Sequence, residues 1–313
     1  MKVGVIGVGN MGENHVRTYL SMQDQCQLVG LYDNDEKKSN QIAKKYNVKP
    51  FQSIDSLLQS VDAVSIAVPT EFHYDIGLSC IQHNVHMLME KPITTTVVQA
   101  EDLIQKANEV DIKIQVGHIE LFNPLIQFLT KIVENETIIG ILFHRMSPPG
   151  ERVKNVNVVN DLMIHDLYIL NQLLPGNVVE FYALGNVVEN IPKHAAAIIR
   201  YSEGVTAQLT ASFKSMKKVR IIQILTEEAF LEADILNREI KITRSIIEDT
   251  SKVPVPITQT IQIDDSIQPL RIQLLDFINC ITCDTEPFVS GEDGKKALII
   301  TNKITESIIN HKI

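Results

Sequence analysis

Short apolar runs separated by amphipathic stretches characterise the first 120 residues of the chain. Each run is apolar throughout, which is typical of parallel strands buried on both faces, and helical patterns of about ten residues or more separate most of the runs. The sequence therefore predicts a doubly wound α/β domain with a parallel sheet. The expected strands are residues 2–6, 27–33, 48–51, 62–68, 85–90 and 112–117.

The pattern changes in the second half of the chain. Strand-like runs follow one another there with almost no helix between them, which indicates a large, mostly antiparallel open sheet. We therefore expect a dinucleotide-binding Rossmann domain over 1–120 and an α+β domain for substrate binding and oligomerisation over 121–313. The expected elements of the second domain are helices over 123–135, 160–174, 271–282 and 294–309, and strands over 141–146 and from 178 to about 263.

Composition and charge narrow the class of protein. A chain of 313 residues suggests about two domains, and its 44% apolar and 21% charged residues are typical of a globular protein. The 29 Lys and Arg residues against 38 Asp and Glu residues give a net charge of −9, which disfavours nucleic acid and anionic membranes as partners. No apolar run approaches the roughly 18 residues that cross a bilayer.

Glycine interrupts the apolar N-terminal stretch repeatedly, so we expect no targeting signal. Four cysteines are too few for a disulfide scaffold, and we expect reduced thiols and a cytoplasmic location. Cys280 and Cys283 form a CxxC pair inside an apolar predicted helix. Core packing explains this pair better than a redox or metal site, because no second pair of ligands has comparable spacing, and we expect no metal.

A glycine-rich turn, GVGNMG, follows the first predicted strand and opens a helix. In this GxGxxG motif Gly7 permits the tight turn, Gly9 lets the backbone approach a pyrophosphate, and Gly12 lets the helix sit close to the sheet. Asn10 and Met11 complete the expected cofactor contacts of the turn. The order of strand, glycine turn, helix and second strand predicts a dinucleotide site, against the alternative of a glycine-rich turn that binds nothing.

An acidic residue ends the second predicted strand at the expected distance from the glycine turn. This residue, Asp33, favours NAD, because a carboxylate accepts hydrogen bonds from ribose hydroxyls and repels a 2′-phosphate. The next residue is Asn34, not an Arg that pairs with such a phosphate. Lys37 and Lys38 are close enough in the sequence that NADP stays open.

Two later strands end in residues suited to the nicotinamide end of the cofactor. Ligands of a doubly wound sheet bind beyond the C-terminal ends of its strands, and Lys91 follows one of these ends. Its ammonium can donate a hydrogen bond to a substrate hydroxyl or to a developing alkoxide. The alternative is a solvated lysine. The expected cofactor contacts at these strand ends are Pro69, Thr70, His73, Glu90 and Lys91.

The apolar helix over 160–174 carries an acid and a histidine four residues apart. A helix that is apolar all round is buried, and a buried His165 needs a polar partner. Asp161 lies one turn earlier on the same face, where a carboxylate fixes the tautomer of a histidine and raises its basicity. Two alternatives stay open: Asp161 caps the helix, or His165 is a core histidine whose hydrogen bonds are satisfied.

With these motifs the sequence resembles the Gfo/Idh/MocA family of sugar and inositol oxidoreductases along essentially its whole length. The resemblance rests on GxGxxG, on Glu90-Lys91-Pro92, on a DxxxH helix at 161–165 and on PxxSGEDGKKAL at 287–298. The segments NDLMIHDLY and GHIELFNP are similar to the corresponding segments of the family's UDP-N-acetylglucosamine 3-dehydrogenase subgroup. Leu121 and Tyr168 depart from the residues usual there, which are Arg and Asp.

The resemblance implies a Rossmann domain, a C-terminal open sheet on which oligomers form, and the roles of three side chains. His165 takes the proton from a sugar hydroxyl while a hydride moves to the nicotinamide, Lys91 orients and polarises that oxygen, and Asp161 aligns the site. Arg pairs bidentately with phosphate oxygens, so Arg145 and Arg152 are candidates for a diphosphate, with surface cations as the alternative. The expected substrate contacts are Glu120, Asn123, Arg145 and Arg152.

The expected activity is an NAD(P)-dependent oxidation of a sugar CH–OH group, with the 3-hydroxyl of a UDP-N-acetyl-hexosamine as the favoured substrate. The expected partners are a sugar or nucleotide sugar and further copies of the chain, as a homodimer or homotetramer through the C-terminal sheet. Two alternatives stay open: a family dehydrogenase for an inositol, a free sugar or a sugar phosphate, and a non-catalytic NAD-binding sensor.

Overall fold

Each of two sheets forms the centre of one unit of the chain. The computed structural model describes residues 1–174, 176–246, 255–264, 266 and 268–310. The first unit combines Met1–Ile119 with Gln268–Ile299, and the second combines Glu120–Ile267 with Ile300–Ile313.

The sheet of the first unit has six parallel strands in the order β3-β2-β1-β4-β5-β6. The order reverses direction at β1, and the glycine-rich turn follows that strand, where open α/β sheets bind their ligands. The strands are β1 (Lys2–Ile6), β2 (Gln27–Tyr32), β3 (Lys49–Pro50), β4 (Ala63–Ile66), β5 (His86–Glu90) and β6 (Ile114–Gly117).

Helices connect the strands of the first sheet, as the apolar runs and their spacing predict. Their starts follow local chemistry: Asp35, Ser53 and Thr96 each accept a hydrogen bond from a backbone amide of the first helical turn. The helices are α1 (Asn10–Leu20), α2 (Glu36–Tyr46), α3 (Ile54–Leu58), α4 (His73–Gln82) and α5 (Val97–Glu109).

A helix from the C-terminal part of the chain, α8 (Pro269–Thr282), completes the core of the first unit. Its side chains Leu274 and Phe277 are fully buried in one cluster with residues of β1 and α1. Gln115 of β6 donates a hydrogen bond to the carbonyl of Gln273 at 3.1 Å. The first unit is therefore discontinuous, whereas the sequence analysis assigned everything after residue 120 to the second domain.

The sheet of the second unit has eight strands in the order β14-β13-β12-β11-β7-β10-β9-β8. All neighbours are antiparallel except β7 and β10, which are parallel. The strands are β7 (Ile138–Met146), β8 (Val178–Val188), β9 (Ile191–Tyr201), β10 (Thr206–Ser212), β11 (Val219–Thr226), β12 (Ala229–Asp234), β13 (Glu239–Ile246) and β14 (Val255–Gln262).

One face of the second sheet is buried beneath helical segments. These include α6 (Pro124–Val133), a π-helical turn (Val159–Met163) that continues into α7 (Ile164–Leu173), and the later part of α9 (Gly291–Asn310). Alternate residues such as Phe143, Leu209 and Ile222 point to that face and are buried. The predicted helix over 160–174 is thus a π turn followed by an α-helix.

The expected fold class is confirmed by a six-stranded parallel sheet and a mostly antiparallel eight-stranded sheet. Within the described ranges, no helix combines the length and apolar character needed to cross a bilayer. The same ranges contain no group of three His, Cys, Asp or Glu side chains arranged to hold a metal ion. The four cysteines are free thiols, and Cys283 is the exposed one.

Candidate active site

The glycine-rich turn has the backbone geometry that its sequence predicts. Gly7 has a φ of +85°, and a Cβ there would lie 2.7 Å from the carbonyl oxygen of Ala67. A Cβ at Gly12 would lie 1.8 Å from the carbonyl oxygen of Gly7. Larger residues at these two positions would collide with backbone, so the turn and the close approach of α1 both require glycine.

The start of α1 leaves room for an anion. Gly9 is the N-cap residue and forms no side-chain cap, and the nearest atom to a Cβ built there is the Lys38 Nζ at 3.8 Å. Asn10 is exposed and Met11 is half-buried at the first two helical positions. Unpaired amides at a helix N-terminus bind phosphate groups, so these residues fit the pyrophosphate of a dinucleotide.

Asp33 follows β2 and lies against the glycine-rich turn. One carboxylate oxygen accepts a hydrogen bond from the Val8 amide at 2.7 Å, and the other accepts one from the Asp35 amide at 3.0 Å. The Lys38 ammonium lies 3.9 Å from the first of these oxygens. The carboxylate is therefore fixed in position, with further lone pairs to accept ribose hydroxyls.

His73 ties together the turns that follow β4 and β5. Its ring nitrogens lie 2.9 Å from the Pro92 carbonyl oxygen and 3.0 Å from the Val68 carbonyl oxygen, and the side chain is buried. Burial lowers the pKa of His73, partly offset by these backbone hydrogen bonds. His73 was expected to contact the cofactor, but both of its ring nitrogens are engaged with backbone, so the side chain positions the turns.

The first of these turns presents two other expected cofactor contacts. Pro69 is exposed, and Thr70 is half-buried at the start of a 3₁₀ turn that spans Thr70–Phe72. Both residues follow the C-terminal end of β4, which is next to β1 in the sheet.

Glu90 is the last residue of β5, and its carboxylate is bound inside the first unit. The His15 Nε2 atom lies 3.2 Å from the Glu90 Oε1 atom, and a Cβ at Gly117 would lie 2.9 Å from the same carboxylate. His15 is fully buried on α1. These contacts make Glu90 a support for the turn that carries Lys91, and its expected contact with the cofactor stays a prediction. His15 was not among the predicted site residues, and the signal for it was its position three residues after Gly12 on the buried face of α1.

Lys91 is half-buried directly after β5, at the cis peptide bond to Pro92. His118 is buried and follows the neighbouring strand β6. Burial, together with the charge of Lys91, lowers the pKa of His118 well below its ordinary value. A neutral imidazole therefore lies beside the lysine. The sequence analysis left His118 unassigned, since its proximity to Lys91 depends on strand order.

Asp161 and His165 are the two residues of the segment 161–170 that are partly accessible; the others are buried. Val158 is the residue that precedes the π turn, so Asp161 lies inside the turn and does not cap it. The accessibility of His165 also argues against a core histidine, and against the expectation that it is buried. π turns occur frequently at functional sites.

Arg145 of β7 is buried between two carboxylates of the second unit. Its Nε donates to the Asp166 Oδ1 at 2.7 Å, and its Nη1 donates to the Glu120 Oε1 at 2.8 Å. Burial raises the pKa of Asp166 to about 6, although Arg145 acts in the opposite direction. The two carboxylates neutralise the guanidinium, which disfavours its expected role as a diphosphate ligand.

Two other expected substrate contacts, Glu120 and Asn123, lie at or near this cluster. Glu120 keeps 19% of its side chain exposed. Asn123 caps α6 by accepting from the Leu125 amide at 3.0 Å, and its amide nitrogen is 3.5 Å from the Glu120 Oε2. The side chain of Arg152 lies outside the described residues.

Lys193 of β9 anchors the loop that leads to the π turn, a role that the sequence analysis missed. Its buried ammonium donates to the carbonyl oxygens of Val153 at 3.0 Å, Lys154 at 2.7 Å and Val156 at 2.9 Å. The next carbonyl, that of Asn157, accepts from the Asp161 amide at 3.0 Å. Lys193 therefore fixes the backbone from which Asp161 projects.

Both units match models of one protein family. Residues 1–118 match an oxidoreductase family with an NAD-binding Rossmann fold, and residues 141–232 match the GFO/IDH/MocA C-terminal domain. The chain belongs to the Gfo/Idh/MocA family and is an NAD(P)-dependent dehydrogenase. The expected family and cofactor are thereby confirmed, and the non-catalytic sensor is set aside.

Similar proteins match nearly the full length of the chain. UDP-N-acetylglucosamine 3-dehydrogenase of Acidithiobacillus ferrooxidans is 29% identical over 306 residues, which cover 95% of this chain and 94% of that protein. A solved structure of that dehydrogenase, GnnA, has a TM-score of 0.92 at 28% identity and covers 99% of this chain and 98% of its own. Myo-inositol 2-dehydrogenase of Thermotoga maritima is 24% identical over 318 residues, covering 96% and 94% of the two chains.

Proposed function

We propose that this dehydrogenase oxidises a sugar CH–OH group, and that its substrate is a UDP-N-acetyl-hexosamine oxidised at the 3-hydroxyl. The similarity to a UDP-N-acetylglucosamine 3-dehydrogenase along 95% of the chain is the observation that carries this substrate class. The accessible Asp161 and His165 support a reaction that begins with removal of a hydroxyl proton.

The dinucleotide is held by residues of the first unit. Gly7, Gly9 and Gly12 and the first residues of α1, Asn10 and Met11, would hold the pyrophosphate through the backbone amides at the start of the helix. Asp33 accepts the hydroxyls of the adenosine ribose and favours NAD. Pro69, Thr70 and Lys91 lie at the strand ends that receive the nicotinamide half.

His165 is the general base of the proposed reaction. Its imidazole takes the proton of the sugar hydroxyl, and a histidine suits this task because its ordinary pKa is close to neutrality. Asp161 orients the imidazole. Lys91 donates a hydrogen bond to the same oxygen and stabilises the negative charge that grows on it. The bound nicotinamide supplies the acceptor of the hydride.

Glu120 and Asn123 bind hydroxyl groups of the sugar ring. Arg145 acts through Glu120, whose carboxylate it holds, and does not itself contact phosphate. The two departures from the subgroup sequence do not count against this substrate class, because Leu121 and Tyr168 are both buried. Neither side chain has more than 6% of its surface available to a ligand.

Oxidation of an inositol is the second candidate function. The likeness to myo-inositol 2-dehydrogenase over 96% of the chain favours it. An inositol lacks phosphates, so the two candidates differ in whether the enzyme needs an anionic group on its substrate. A panel of UDP-sugars, sugar phosphates, free sugars and inositols, followed by NADH absorbance at 340 nm, separates them by kcat/KM.

We expect Lys91→Ala and His165→Ala each to lower kcat by about two orders of magnitude or more, because each removes a group that acts on the reacting oxygen. Binding of NADH, measured by fluorescence titration, should change little. Lys44→Ala, which removes an exposed lysine of α2, is the matched control. Near-normal kcat in both active-site variants would overturn the assignment.

We also propose that the enzyme assembles as a homodimer or homotetramer through the exposed face of its eight-stranded sheet, and that it works in the cytoplasm with reduced thiols. The exposed apolar side chains of that face support the first proposal, and the four free cysteines support the second.

A further inference from the structure

Three exposed lysines lie in the loop between β10 and β11. These are Lys214, Lys217 and Lys218, and Met216 between them is 93% exposed. Within the described part of the chain, none of the three ammonium groups pairs with a carboxylate. Such a local concentration of unpaired positive charge stands out in a chain whose net charge is −9.

The strand register places this loop beside the candidate substrate cluster. Ser212 and Val219, which flank the loop, both pair with Met146 at the end of β7. Arg220 pairs with Arg145, so their side chains lie on the same face of the sheet. The loop therefore leaves the sheet at the end where β7 delivers Arg145.

Arg220 differs from Arg145 in its partners. Its guanidinium donates to the carbonyl oxygens of Met146 at 2.5 Å and Val219 at 2.7 Å and to the Ser147 hydroxyl at 3.1 Å. These acceptors are neutral, so they orient the guanidinium and leave its charge uncompensated by direct contact. The side chain is half-buried, which gives it access to a ligand.

The charge of this region changes from negative near Glu120 to positive in the loop between β10 and β11. Asp161, Asp166 and Glu120 are near enough to raise the pKa of Arg220, which burial and Arg145 lower. Carboxylates thus dominate on the side of the proposed sugar-binding residues, and cations dominate in the loop. A nucleotide sugar has the same order of groups, with a neutral ring followed by negatively charged phosphates.

We propose that the basic loop, defined as Lys214, Lys217 and Lys218, binds the phosphate groups of the substrate together with Arg220 of β11. The inference rests on the proposed function, and it assigns the phosphates to residues other than Arg145. Arg220 supplies a preoriented planar donor, and the lysines supply mobile point charges that close over the phosphates.

The test uses the full-length enzyme saturated with NADH, so that the dinucleotide site is filled. Isothermal titration measures the Kd of UDP and of inorganic pyrophosphate for the wild type, Lys217→Ala/Lys218→Ala and Arg220→Gln. Lys131→Ala, which removes an exposed lysine of α6, is the control. Lys218→Glu is a single surface change that keeps the test valid if Arg220→Gln fails to fold.

We expect the Kd of UDP to rise at least about tenfold in the double variant and in Lys218→Glu, since about 1.4 kcal/mol of lost binding energy is a factor of ten. The Kd of NADH and the behaviour of Lys131→Ala should stay unchanged. UDP affinity in the wild type should also fall as salt is raised, because the contacts are electrostatic.

Wild-type affinity for UDP in both Lys218→Glu and the double variant would overturn the inference, as would a wild type that binds neither UDP nor pyrophosphate. Glucose 6-phosphate in a second titration distinguishes a sugar phosphate from a nucleotide diphosphate as the natural source of the anion. If UDP binding depends on the loop but no UDP-sugar is oxidised, the proposed substrate fails while the anion site stands.

Discussion

The proposed role of Asp33 in selecting the cofactor depends on how its side chain is held. Its oxygens accept from the amides of Val8 and Asp35, so the carboxylate cannot swing away from the ribose position. The neighbouring Lys38, whose side chain is 43% exposed, lies 3.9 Å from it and offsets part of its charge. We propose that the balance of these two groups sets the selection between NAD and NADP.

We expect Asp33→Ala to raise the KM for NAD by about tenfold or more, because a hydrogen bond to a charged group contributes roughly 1.5–3 kcal/mol. The KM for NADP should fall or stay level, since the repulsion of the 2′-phosphate is removed while Lys38 remains. Steady-state kinetics with both cofactors measures the ratio of the KM for NAD to the KM for NADP. Asn34→Ala, an exposed neighbour, is the control, and an unchanged NAD to NADP ratio in Asp33→Ala would remove Asp33 from the cofactor site.

Residues that act through partners distant in the sequence escaped the sequence analysis. Gly7, Gly12 and Asp33 were found because the chemistry of the glycine turn is local. His15 and Glu90 meet across 75 positions, and only the order of the strands brings them together. A pattern of apolar and polar positions contains no information about such a pair.

At the level of elements, the sequence predicted the strands and helices of the first unit well, because parallel strands are continuous apolar runs. The prediction for 160–174 was incomplete in an instructive way. An α-helix and a π turn bury similar residues, so the apolar pattern does not separate Val159–Met163 from the α-helix that follows. The apolar pattern also did not predict the order of the eight strands in the second sheet, since β7 pairs with two strands far along the chain.

The loop that leads to the π turn depends on one buried ammonium group. Lys193 is 6% exposed and donates to three carbonyl oxygens of that loop. Burial lowers the pKa of Lys193, because the charged form loses hydration when it is buried. The three carbonyls replace the lost water, and no apolar side chain can do so.

We expect Lys193→Met to lower kcat by about tenfold or more with little change in the KM for NAD, because the loop no longer fixes Asp161. Thermal unfolding should show a loss of roughly 2 kcal/mol or more, since the carbonyls lose a buried donor. Lys154→Met is the control, because that lysine contributes its carbonyl and its side chain is exposed. A variant with lowered stability and normal kcat would limit Lys193 to a structural role.

At the scale of the whole molecule, the exposed face of the eight-stranded sheet is divided into an apolar part and a polar part. Tyr182 and Leu184 of β8 are 69% and 63% exposed, and Ile198, which pairs with Tyr182, is 50% exposed. The residues in register with Tyr182 and Ile198 form a row across the sheet, and at the opposite edge this row ends in Lys241 and Thr260. The apolar part is the surface that a second copy of the chain would cover.

We expect Ile198→Glu to shift the enzyme towards smaller species in light scattering after size exclusion, because a carboxylate would be buried between copies. Thr260→Glu, at the polar end of the same row, should leave the mass unchanged. A wild-type mass for Ile198→Glu would assign the contact between copies to another surface.

The discontinuity of the first unit has a consequence for the order of events during synthesis. Leu274 and Phe277 fill the core beside β1 and α1, so a ribosome has released most of the polypeptide before that core can close. A truncated fragment ending at residue 120 would leave this cavity open and tend to aggregate. The nucleotide-binding half, although it is translated first, is therefore among the last parts of the protein to mature.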